Sequence, residues 1–420
     1  MYSLKNTNSN YVAVIGIDWA DDKHDFHIHF NGEEEALEIS SKPREIRDWF
    51  LDFGANCDYQ KIAVISEQKN GLLINCLSNL QFIDIYVINT TCVNKYRELL
   101  RPSKAKDDST DALYISNLFF EHPKLVRILK KQTSDAFNKM TSLRRKTVDA
   151  RKAASNQLRA AIKECYPVIF EIFPSNDLYS KLVLSFIEKW PSMQTLKDSR
   201  PREYGAFFRK HGARKPEKNN ERIDKIKKSI EVIYDSLEKK IYQLQIESLV
   251  KLIRQLNETI ESYDDLIKKE AEKYEDYKIF KSLPGAGEVL APRLFAFFGT
   301  DKAKFESLKD VHNKSEIPPV KIESGKSKVI RRRYLCNKFI QQTFMEFAEA
   351  SIKHSVWAKA YYESKKLSTS YYTIARALAF KWIRILYALW KNNETYDEDR
   401  YLQILLNKKV HYLKGYENVA

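Results

Sequence analysis

The sequence predicts an α/β domain at the N-terminus, followed by a mostly helical region that continues to the C-terminus. In the first 130 residues, short apolar runs alternate with segments of helical spacing, which is the pattern of a fold with strands and helices. From Ser109 onward, helical spacing dominates. A net charge of +15 together with 43% hydrophobic residues indicates a globular chain with a basic surface.

The order of the N-terminal elements defines a sheet. The predicted strands are 11–18, 24–30, 34–40, 61–67 and 83–89, and the predicted helices are 43–53, 71–80 and 93–100. Three leading strands favour an antiparallel meander, and the later strands, which follow helices, are expected to extend it in parallel. In that order the first and fourth strands are neighbours.

The rest of the chain is predicted to be helical. A long basic helix over 134–166 ends at Pro167, and a shorter helix covers 177–190. Residues 199–220 contain two prolines and two glycines and are interpreted as a loop or hinge. Apolar residues over 223–267 then predict either a coiled-coil arm or two ordinary helices packed on a core. A further helical region opens at Leu283, so we expect three domains, 1–130, 131–280 and 281–420.

Four acidic residues lie where predicted strands end or a helix begins. Asp18 ends the first strand, Glu67 ends the fourth, and Asp108 and Asp111 share one helix face. Converging carboxylates raise one another's pKa unless cations lie among them. Mg²⁺ prefers oxygen ligands, and two such ions can clamp the reacting oxygens of a phosphoryl transfer. The four acids together predict a divalent-metal site, whereas helix caps and surface charges are the alternative for Asp108 and Asp111 alone.

Positive charge is concentrated in two stretches. Residues 139–163 contain eight Lys or Arg and one acid, and residues 320–338 contain seven and one. Clustered cations indicate a phosphate-backbone partner, and a pair of solvated surfaces is the alternative. The predicted nucleic-acid contacts are Arg144, Arg145, Lys146, Arg151, Lys152 and Arg159 in the first stretch, and Lys326, Lys328, Arg331, Arg332 and Arg333 in the second.

Composition argues against several other classes of protein. No apolar run approaches the ~20 residues of a membrane span, and residues 1–10 lack the apolar core of a signal peptide. Five scattered cysteines without a Cys-x-x-Cys pair argue against a zinc site or a disulfide framework. A reducing cytoplasm is therefore the expected location.

Several segments carry a family resemblance. Val14-Ile-Gly-Ile-Asp-Trp, the Ser-Glu pair at 66–67 and Lys106-Asp-Asp-Ser-Thr-Asp-Ala resemble the DEDD transposases of the insertion-sequence one-ten family, related to pilin-gene invertases. Leu283-Pro-Gly-Ala-Gly and Pro319-Val-Lys-Ile-Glu-Ser-Gly-Lys resemble that family's second conserved domain. The resemblance implies an RNase H-like (RuvC-like) N-terminal domain and a helical C-terminal transposase domain.

The resemblance also implies a reaction. Ser324 matches the family's nucleophile, which attacks a DNA phosphodiester and forms a phosphoserine link, assisted by Mg²⁺, or alternatively Mn²⁺, on the four acids. The implied partners are donor and target DNA duplexes, a structured guide (bridge) RNA and further copies of the chain, as a homodimer or tetramer on the prokaryotic nucleoid. This chain reads Ser315-Glu-Ile-Pro-Pro where the family usually has Gly-hydrophobic-Ala-Pro, so the entry to the serine loop differs.

The glycines after Leu283 resemble the hairpin of a helix-hairpin-helix element. Gly285 and Gly287 would let backbone N–H groups approach a DNA phosphate, and a tight interhelical turn is the alternative. Two other functions stay open. One is a metal-dependent endonuclease or Holliday-junction resolvase that uses water as the nucleophile, and the other is a non-catalytic nucleic-acid-binding protein.

Overall fold

In the computed structural model, residues 10–100, 108–129, 133–173, 178–213 and 215–413 are described, apart from residues 326, 332 and 335. The description covers only the backbone of Asp108, Ser109, Thr133, Ser134 and Ser324. The chain forms two compact units, Met1–Lys131 and Gln132–Ala420. Among the described helices, none is both long and apolar enough to cross a membrane.

The first unit is built on a six-stranded sheet. Its strands are β1 (Ala13–Asp18), β2 (Lys23–Phe30), β3 (Glu33–Ser40), β4 (Ile62–Ser66), β5 (Ile83–Val87) and β6 (Arg127–Ile128). The order is β3-β2-β1-β4-β5-β6; β1, β4 and β5 are parallel to one another, and the other neighbours are antiparallel. This confirms the predicted meander, its parallel extension and the contact between β1 and β4. The short edge strand β6 was not predicted.

Helices cover both faces of this sheet: α1 (Pro43–Asn56), α2 (Leu72–Leu77), α3 (Thr90–Leu100) and α4 (Asp108–Glu121). Side chains alternate along β1, so Ile15 packs with α1 and α2, and Val14 packs with α3 and α4. Gly16 lies directly against α4, because a Cβ atom there would collide with the backbone of Ala112 and Ser116. The missing side chain therefore lets α4 approach β1 closely.

The described part of the second unit is helical apart from one hairpin. Its helices are α5 (Thr133–Cys165), α6 (Val168–Ile172), α7 (Lys181–Lys189), α8 (Met193–Lys197), α9 (Pro201–Lys210), α10 (Pro216–Lys228), α11 (Ser236–Ala271), α12 (Tyr277–Lys281), α13 (Gly287–Phe298), α14 (Leu308–Lys314), α15 (Lys338–His354), α16 (Val356–Lys365), α17 (Tyr371–Asn392) and α18 (Glu398–Asn407). Antiparallel strands β7 (Val320–Ser324) and β8 (Ser327–Arg331) form the hairpin. Two cores hold the unit together, one around α5 to α11 and one around α12 to α18.

The predicted loop over 199–220 is wrong, because most of it is helical. α9 begins at Pro201 and α10 begins at Pro216. Proline fits the first turn of a helix because its missing N–H would have no partner there. Gly212, with a φ of +77°, then turns the chain after α9. The prolines that suggested a loop are therefore helix starts.

α5 and α11 form an antiparallel pair. Arg144, early in α5, donates from Nε to Asp264 Oδ1, late in α11, at 2.8 Å. Tyr242, early in α11, donates to Glu164 at the end of α5. Early residues of each helix thus meet late residues of the other. The sequence had placed the coiled-coil arm within 223–267 and had not predicted that α5 would be the partner of α11.

The apolar seam that the sequence predicted along 223–267 is partly wrong. The buried residues of α11 recur every seven positions, as in a coiled coil: Ile246, Ile253, Ile260 and Ile267. Four residues that the sequence assigned to the seam are exposed, and they are called here the α11 stripe: Leu237, Ile241, Leu244 and Leu252. At 100° per residue, the stripe lies on the side of α11 opposite the buried seam.

Candidate active site

β1 and β4 end side by side at one edge of the sheet. Their parallel register pairs Ile17 with Ser66. Asp18 and Glu67 are the next residues along the two strands, so their backbones are neighbours at the carboxyl ends. Both side chains are half-buried. The strand order had predicted this juxtaposition.

α4 runs antiparallel to β1 and brings its N-terminal turn to the same edge. Ala112, near the start of α4, lies over Gly16. Phe119, near its end, packs on Tyr11 at the start of β1, with ring centroids 6.2 Å apart. The first turn of α4 therefore lies toward the end of β1 that carries Asp18.

Asp108 begins α4, and Asp111 lies one turn further along. Asp111 is a buried residue, with 5% of its side chain exposed. It accepts two hydrogen bonds from Arg97 in the last turn of α3, Nε to Oδ1 at 2.8 Å and Nη2 to Oδ2 at 2.5 Å. Such a bidentate pair fixes the orientation of the carboxylate. Sequence reasoning missed Arg97, because its spacing from Asp111 carries no recognisable signal.

The donor chemistry of this edge suits a hard divalent cation. Carboxylate oxygens are preferred ligands of Mg²⁺ and Mn²⁺. Both oxygens of Asp111 already accept from Arg97, so a metal ion there would use their remaining lone pairs. Among the side chains that the structure describes, no three His, Cys, Asp or Glu residues are placed to hold a metal ion together. The Asp108 side chain is outside that description, so the four-acid metal site stays a prediction.

A second polar cluster joins α4 to the sheet. Ser116 Oγ on α4 lies 3.1 Å from His27 Nδ1 and 3.1 Å from His29 Nε2, and Glu34 faces the two other ring nitrogens at 3.8 and 3.6 Å. Burial lowers the pKa of both histidines, and the neighbouring His27 helps to lower the pKa of His29 to about 4. Both rings are therefore neutral near pH 7. The alternation His-x-His was visible in the sequence but indicated only a strand.

Ser324 lies at the tip of the β7–β8 hairpin. It is the last residue of β7 and pairs with Ser327 of β8, so only Gly325 and Lys326 lie between them. Gly325 has a φ of +56°, the left-handed conformation that two-residue hairpin turns need. Ser324 therefore ends a regular antiparallel ladder, next to a two-residue turn.

Cations near this hairpin are partly paired with acids of the chain. Lys328 Nζ lies 3.4 Å from Glu323, and Arg333 Nη1 lies 3.1 Å from Glu316. Arg331 is exposed, as is every other residue of β8. The predicted contacts Lys326 and Arg332 fall outside the described residues. The hairpin thus presents an open surface with positive charge.

The structure also engages most of the predicted cations of α5 within the protein. Arg144 pairs with Asp264, Arg145 Nη1 lies 2.9 Å from Glu346, Arg151 lies over the Tyr179 ring at 4.7 Å, and Arg159 lies over the Phe170 ring at 5.8 Å. Lys146 and Lys152 are exposed. The outward charge of these six predicted contacts is therefore smaller than the sequence suggested, and Lys146 and Lys152 are the exposed members of the set.

The Gly285 turn has a packing explanation. Gly285 and Gly287 have φ values of +79° and +51°, and α13 begins at Gly287. A Cβ atom on Gly285 would lie 3.0 Å from the backbone of Ala350 in α15, so the side of the turn that faces α15 is filled. Apart from the adjoining residues and the backbone of α13 itself, no atom of the described residues lies within 4 Å of the corresponding point on Gly287. The interhelical turn therefore accounts for Gly285, and Gly287 is the open position.

Comparison with known proteins gives matches over most of the chain. A family model for DEDD transposases of IS110 elements, described as a transposase, matches residues 15–167. A second model, described as the transposase IS116/IS110/IS902 family, matches residues 277–363. The chain is 24% identical over 409 residues to a Streptomyces coelicolor protein named "Mini-circle putative transposase for IS117", covering 93% of this chain and 97% of that protein. The first match contains the four acids and the second contains Ser324.

Proposed function

The chain belongs to the IS110 family of transposases, and from that premise we infer that it cuts and rejoins DNA with Ser324 and the four acids. As a transposase it acts on DNA. The observation that carries the proposal is the common edge of the sheet, where the ends of β1 and β4 and the first turn of α4 meet. An RNase H-like fold for the first unit is supported by its antiparallel meander followed by parallel strands.

In the proposed reaction, the hydroxyl of Ser324 attacks a DNA phosphorus atom. A new O–P bond to the serine forms, the bond to one deoxyribose oxygen breaks, and that oxygen leaves as a hydroxyl after taking up a proton. The serine proton passes to a nearby base. A hydroxyl of the second DNA duplex then attacks the phosphoserine, restores the serine and joins the strands. The exposed hairpin supports this role, because a two-stranded ribbon can enter the DNA major groove.

Divalent metal ions, Mg²⁺ or Mn²⁺, would be held by Asp18, Glu67, Asp108 and Asp111, and would neutralise charge on the reacting phosphate. Arg97 would hold Asp111 in a fixed orientation through its bidentate pair. The exposed Arg331 would attract the DNA backbone toward the hairpin.

We further propose nucleic-acid and protein partners. A structured guide RNA would read sequence, while the protein contacts shape and backbone through exposed cations such as Lys146 and Lys152. The α11 stripe supports a homodimer or tetramer, since apolar side chains on a helix surface are covered on association. All five cysteines are free thiols, which supports a reducing cytoplasm as the location. A place on the nucleoid would follow from binding to DNA.

A covalent adduct with DNA tests the proposal. The chain is incubated with an element-end duplex, guide RNA and Mg²⁺, and denaturing gels then reveal protein-linked DNA. Ser324→Ala should abolish both the adduct and strand exchange, while Ser327→Ala, the cross-strand neighbour, should retain them. Asp18→Asn should abolish both as well. Adduct formation by Ser324→Ala would contradict the assignment of the nucleophile.

A metal-dependent endonuclease or junction resolvase is the second candidate. One observation favours it: the edge that carries the acids lies wholly within the first unit and can be built without Ser324. A water molecule would then be the nucleophile. Under this alternative, Ser324→Ala should still cut DNA at the wild-type rate, whereas Asp18→Asn should not.

A further inference from the structure

A cavity of about 610 Å³ lies in the second unit between α17, α18 and the 3₁₀ helix His411–Leu413. It takes no part in the proposed reaction and is lined wholly by described residues. Its volume falls within the range of about 300–1,000 Å³ typical of small-molecule and cofactor pockets. The cavity is therefore large enough to hold a single nucleotide.

The walls combine aromatic and aliphatic groups. Tyr401, Tyr412 and Ile404 line the cavity. Tyr401 is held in place by an edge contact with Trp357, at 5.4 Å between ring centroids, and Tyr412 is mostly buried. These rings are fixed by the core behind them, and they offer flat apolar surface of the kind on which a base stacks.

Four cations line the same cavity, and they have different surroundings: Lys381, Arg384, Arg400 and Lys408. Lys381 is half-buried and sits over the rings of Tyr361 and Tyr412, with Nζ 5.0 and 5.5 Å from their centroids. Burial lowers the pKa of Lys381, and Arg384 one turn along α17 lowers it further. Arg384 and Lys408 are exposed. Lys381 and Arg384 repel each other, so an anion between them would be stabilised.

Two acids also line the cavity, but both are engaged nearby. Asp397 caps the N-terminus of α18 by accepting from the backbone N–H of Arg400, and Glu394 lies 3.2 Å from the Arg400 side chain. The charge that faces an incoming ligand therefore comes mainly from Lys381, Arg384 and Lys408. An aromatic cavity with an anion site beside it fits a nucleotide.

We propose that this cavity binds one unpaired nucleotide of a DNA or RNA strand, with the base against Tyr401 and Tyr412 and the phosphate between Lys381 and Arg384. The inference rests on the proposed function, because it requires a nucleic-acid partner. The site lies outside the four acids and Ser324, so it would hold or position a strand rather than react with it. Ala388, an exposed residue that lines the cavity, offers a way to fill it.

The test compares two fluorescent single strands of equal length, one with all bases and one with a single abasic position in the middle. Binding to the full-length chain is measured by anisotropy at fixed salt. The base-bearing strand should bind about tenfold more tightly, the range that stacking of one base on an aromatic side chain gives. Ala388→Trp and the double variant Lys381→Gln/Arg384→Gln should remove this preference.

Matched controls separate the cavity from general charge. Ala388→Ser leaves the cavity open, and Lys353→Gln/Lys359→Gln removes the same charge from exposed positions elsewhere in this unit; both should keep the preference. Equal binding of the two strands to wild type, or a preference that survives Ala388→Trp in a variant with an unchanged melting temperature, would overturn the inference. If free nucleoside monophosphates displaced the labelled strand when added at the same concentration as that strand, the cavity would be a site for mononucleotides instead. If the wild-type chain bound neither strand, that result would contradict the proposed function itself.

Discussion

Arg97 and Asp111 form a nearly buried bidentate ion pair that joins the end of α3 to the start of α4. Their side chains are 17% and 5% exposed, so neither charge is solvated well enough to stand alone. The pair lies beside the edge that gathers Asp18 and Glu67. It therefore couples the stability of the first unit to the geometry of the candidate metal site.

Removal of Arg97 should destabilise the fold and make it metal-dependent. Arg97→Met leaves a buried carboxylate unpaired, which typically costs about 3–5 kcal/mol. If Asp111 is a metal ligand, Mg²⁺ should recover part of that loss, because a bound cation replaces the guanidinium. Urea unfolding of the variant with Mg²⁺ and with EDTA measures both effects.

The control for this experiment is Arg97→Met/Asp111→Asn, which removes both charges. It should lose less stability than Arg97→Met and show a smaller response to Mg²⁺. A loss below about 1 kcal/mol in Arg97→Met, the range of exposed ion pairs, would show that the pair does not hold α4.

Gly16 should be intolerant of even a methyl group. Its Cβ would meet the backbone of Ala112 and Ser116, which cannot move aside as a flexible side chain can. Gly16→Ala should cost about 1–3 kcal/mol through overpacking, and it should weaken DNA cleavage further because α4 carries Asp111. Chemical denaturation measures the loss of stability. A DNA cleavage assay, run under conditions where more than 90% of the variant is folded, then measures the effect on activity alone.

Gly205→Ala is the matched change at a different place. Gly205 lies inside α9, and a Cβ atom there would meet the flexible end of the Arg209 side chain at 3.4 Å. Alanine is preferred over glycine in a helix by about 1 kcal/mol, so this variant should be slightly more stable than wild type. Equal effects of the two substitutions would mean that the packing of α4 on Gly16 is unimportant.

Acid should destabilise the first unit through His29. Its pKa is lowered to about 4 in the folded chain, mainly by burial and then by His27, while the unfolded value is about 6.5. The unfolded state therefore binds more protons between these values, so the stabilising effect is full above pH 6.5 and is lost as pH falls toward 4. At about 1.4 kcal/mol for each pKa unit, the shift of His29 should lower the free energy of unfolding by on the order of 3 kcal/mol between pH 6.5 and acid pH.

His29→Gln should flatten the stability profile between pH 6.5 and 4, as measured by denaturant midpoints at half-unit steps. His411→Gln changes an exposed histidine in the other unit and should leave the slope unchanged. An unaltered slope in His29→Gln would show that the ring does not titrate as its burial requires.

Much of the first unit could be predicted from sequence because its signals are local and repeated. The buried strands β1 and β4 are continuous apolar runs, and their order along the chain made them neighbours. The acids that end these runs could therefore be placed on one edge. Arg97 could not be found this way, because its contact with Asp111 depends on how α3 and α4 pack.

The second unit was harder to predict because its signals have two meanings. Proline starts a helix as readily as it ends one, so Pro201 and Pro216 were misread as loop residues. On α11, a buried apolar seam packs on α5 and the α11 stripe stays exposed, and a single heptad register cannot describe both. Only the packing of Ile246 and Ile253 in the core distinguishes the buried seam from the α11 stripe.

The α11 stripe should mediate association between copies of the chain. Leu237 and Leu252 lie at its two ends, so two copies paired antiparallel would bring each leucine opposite the other. In that register Glu238 lies opposite Lys251 of the second copy, and both residues are exposed, which gives opposite charges beside the apolar contact.

Leu237→Glu/Leu244→Glu should therefore dissociate the oligomer. Both leucines are about two-thirds exposed in one copy, at 65% and 66%, so the change should leave the monomer fold intact. Light scattering coupled to size exclusion measures the mass, and thermal melting checks the fold. Gln255→Glu adds a charge to an exposed position on the same helix beyond the stripe and should leave the mass unchanged. If the double variant kept the oligomeric mass of the wild type, the copies would associate through another surface. If the wild type and the double variant were both monomers, the α11 stripe would not be covered by a second copy.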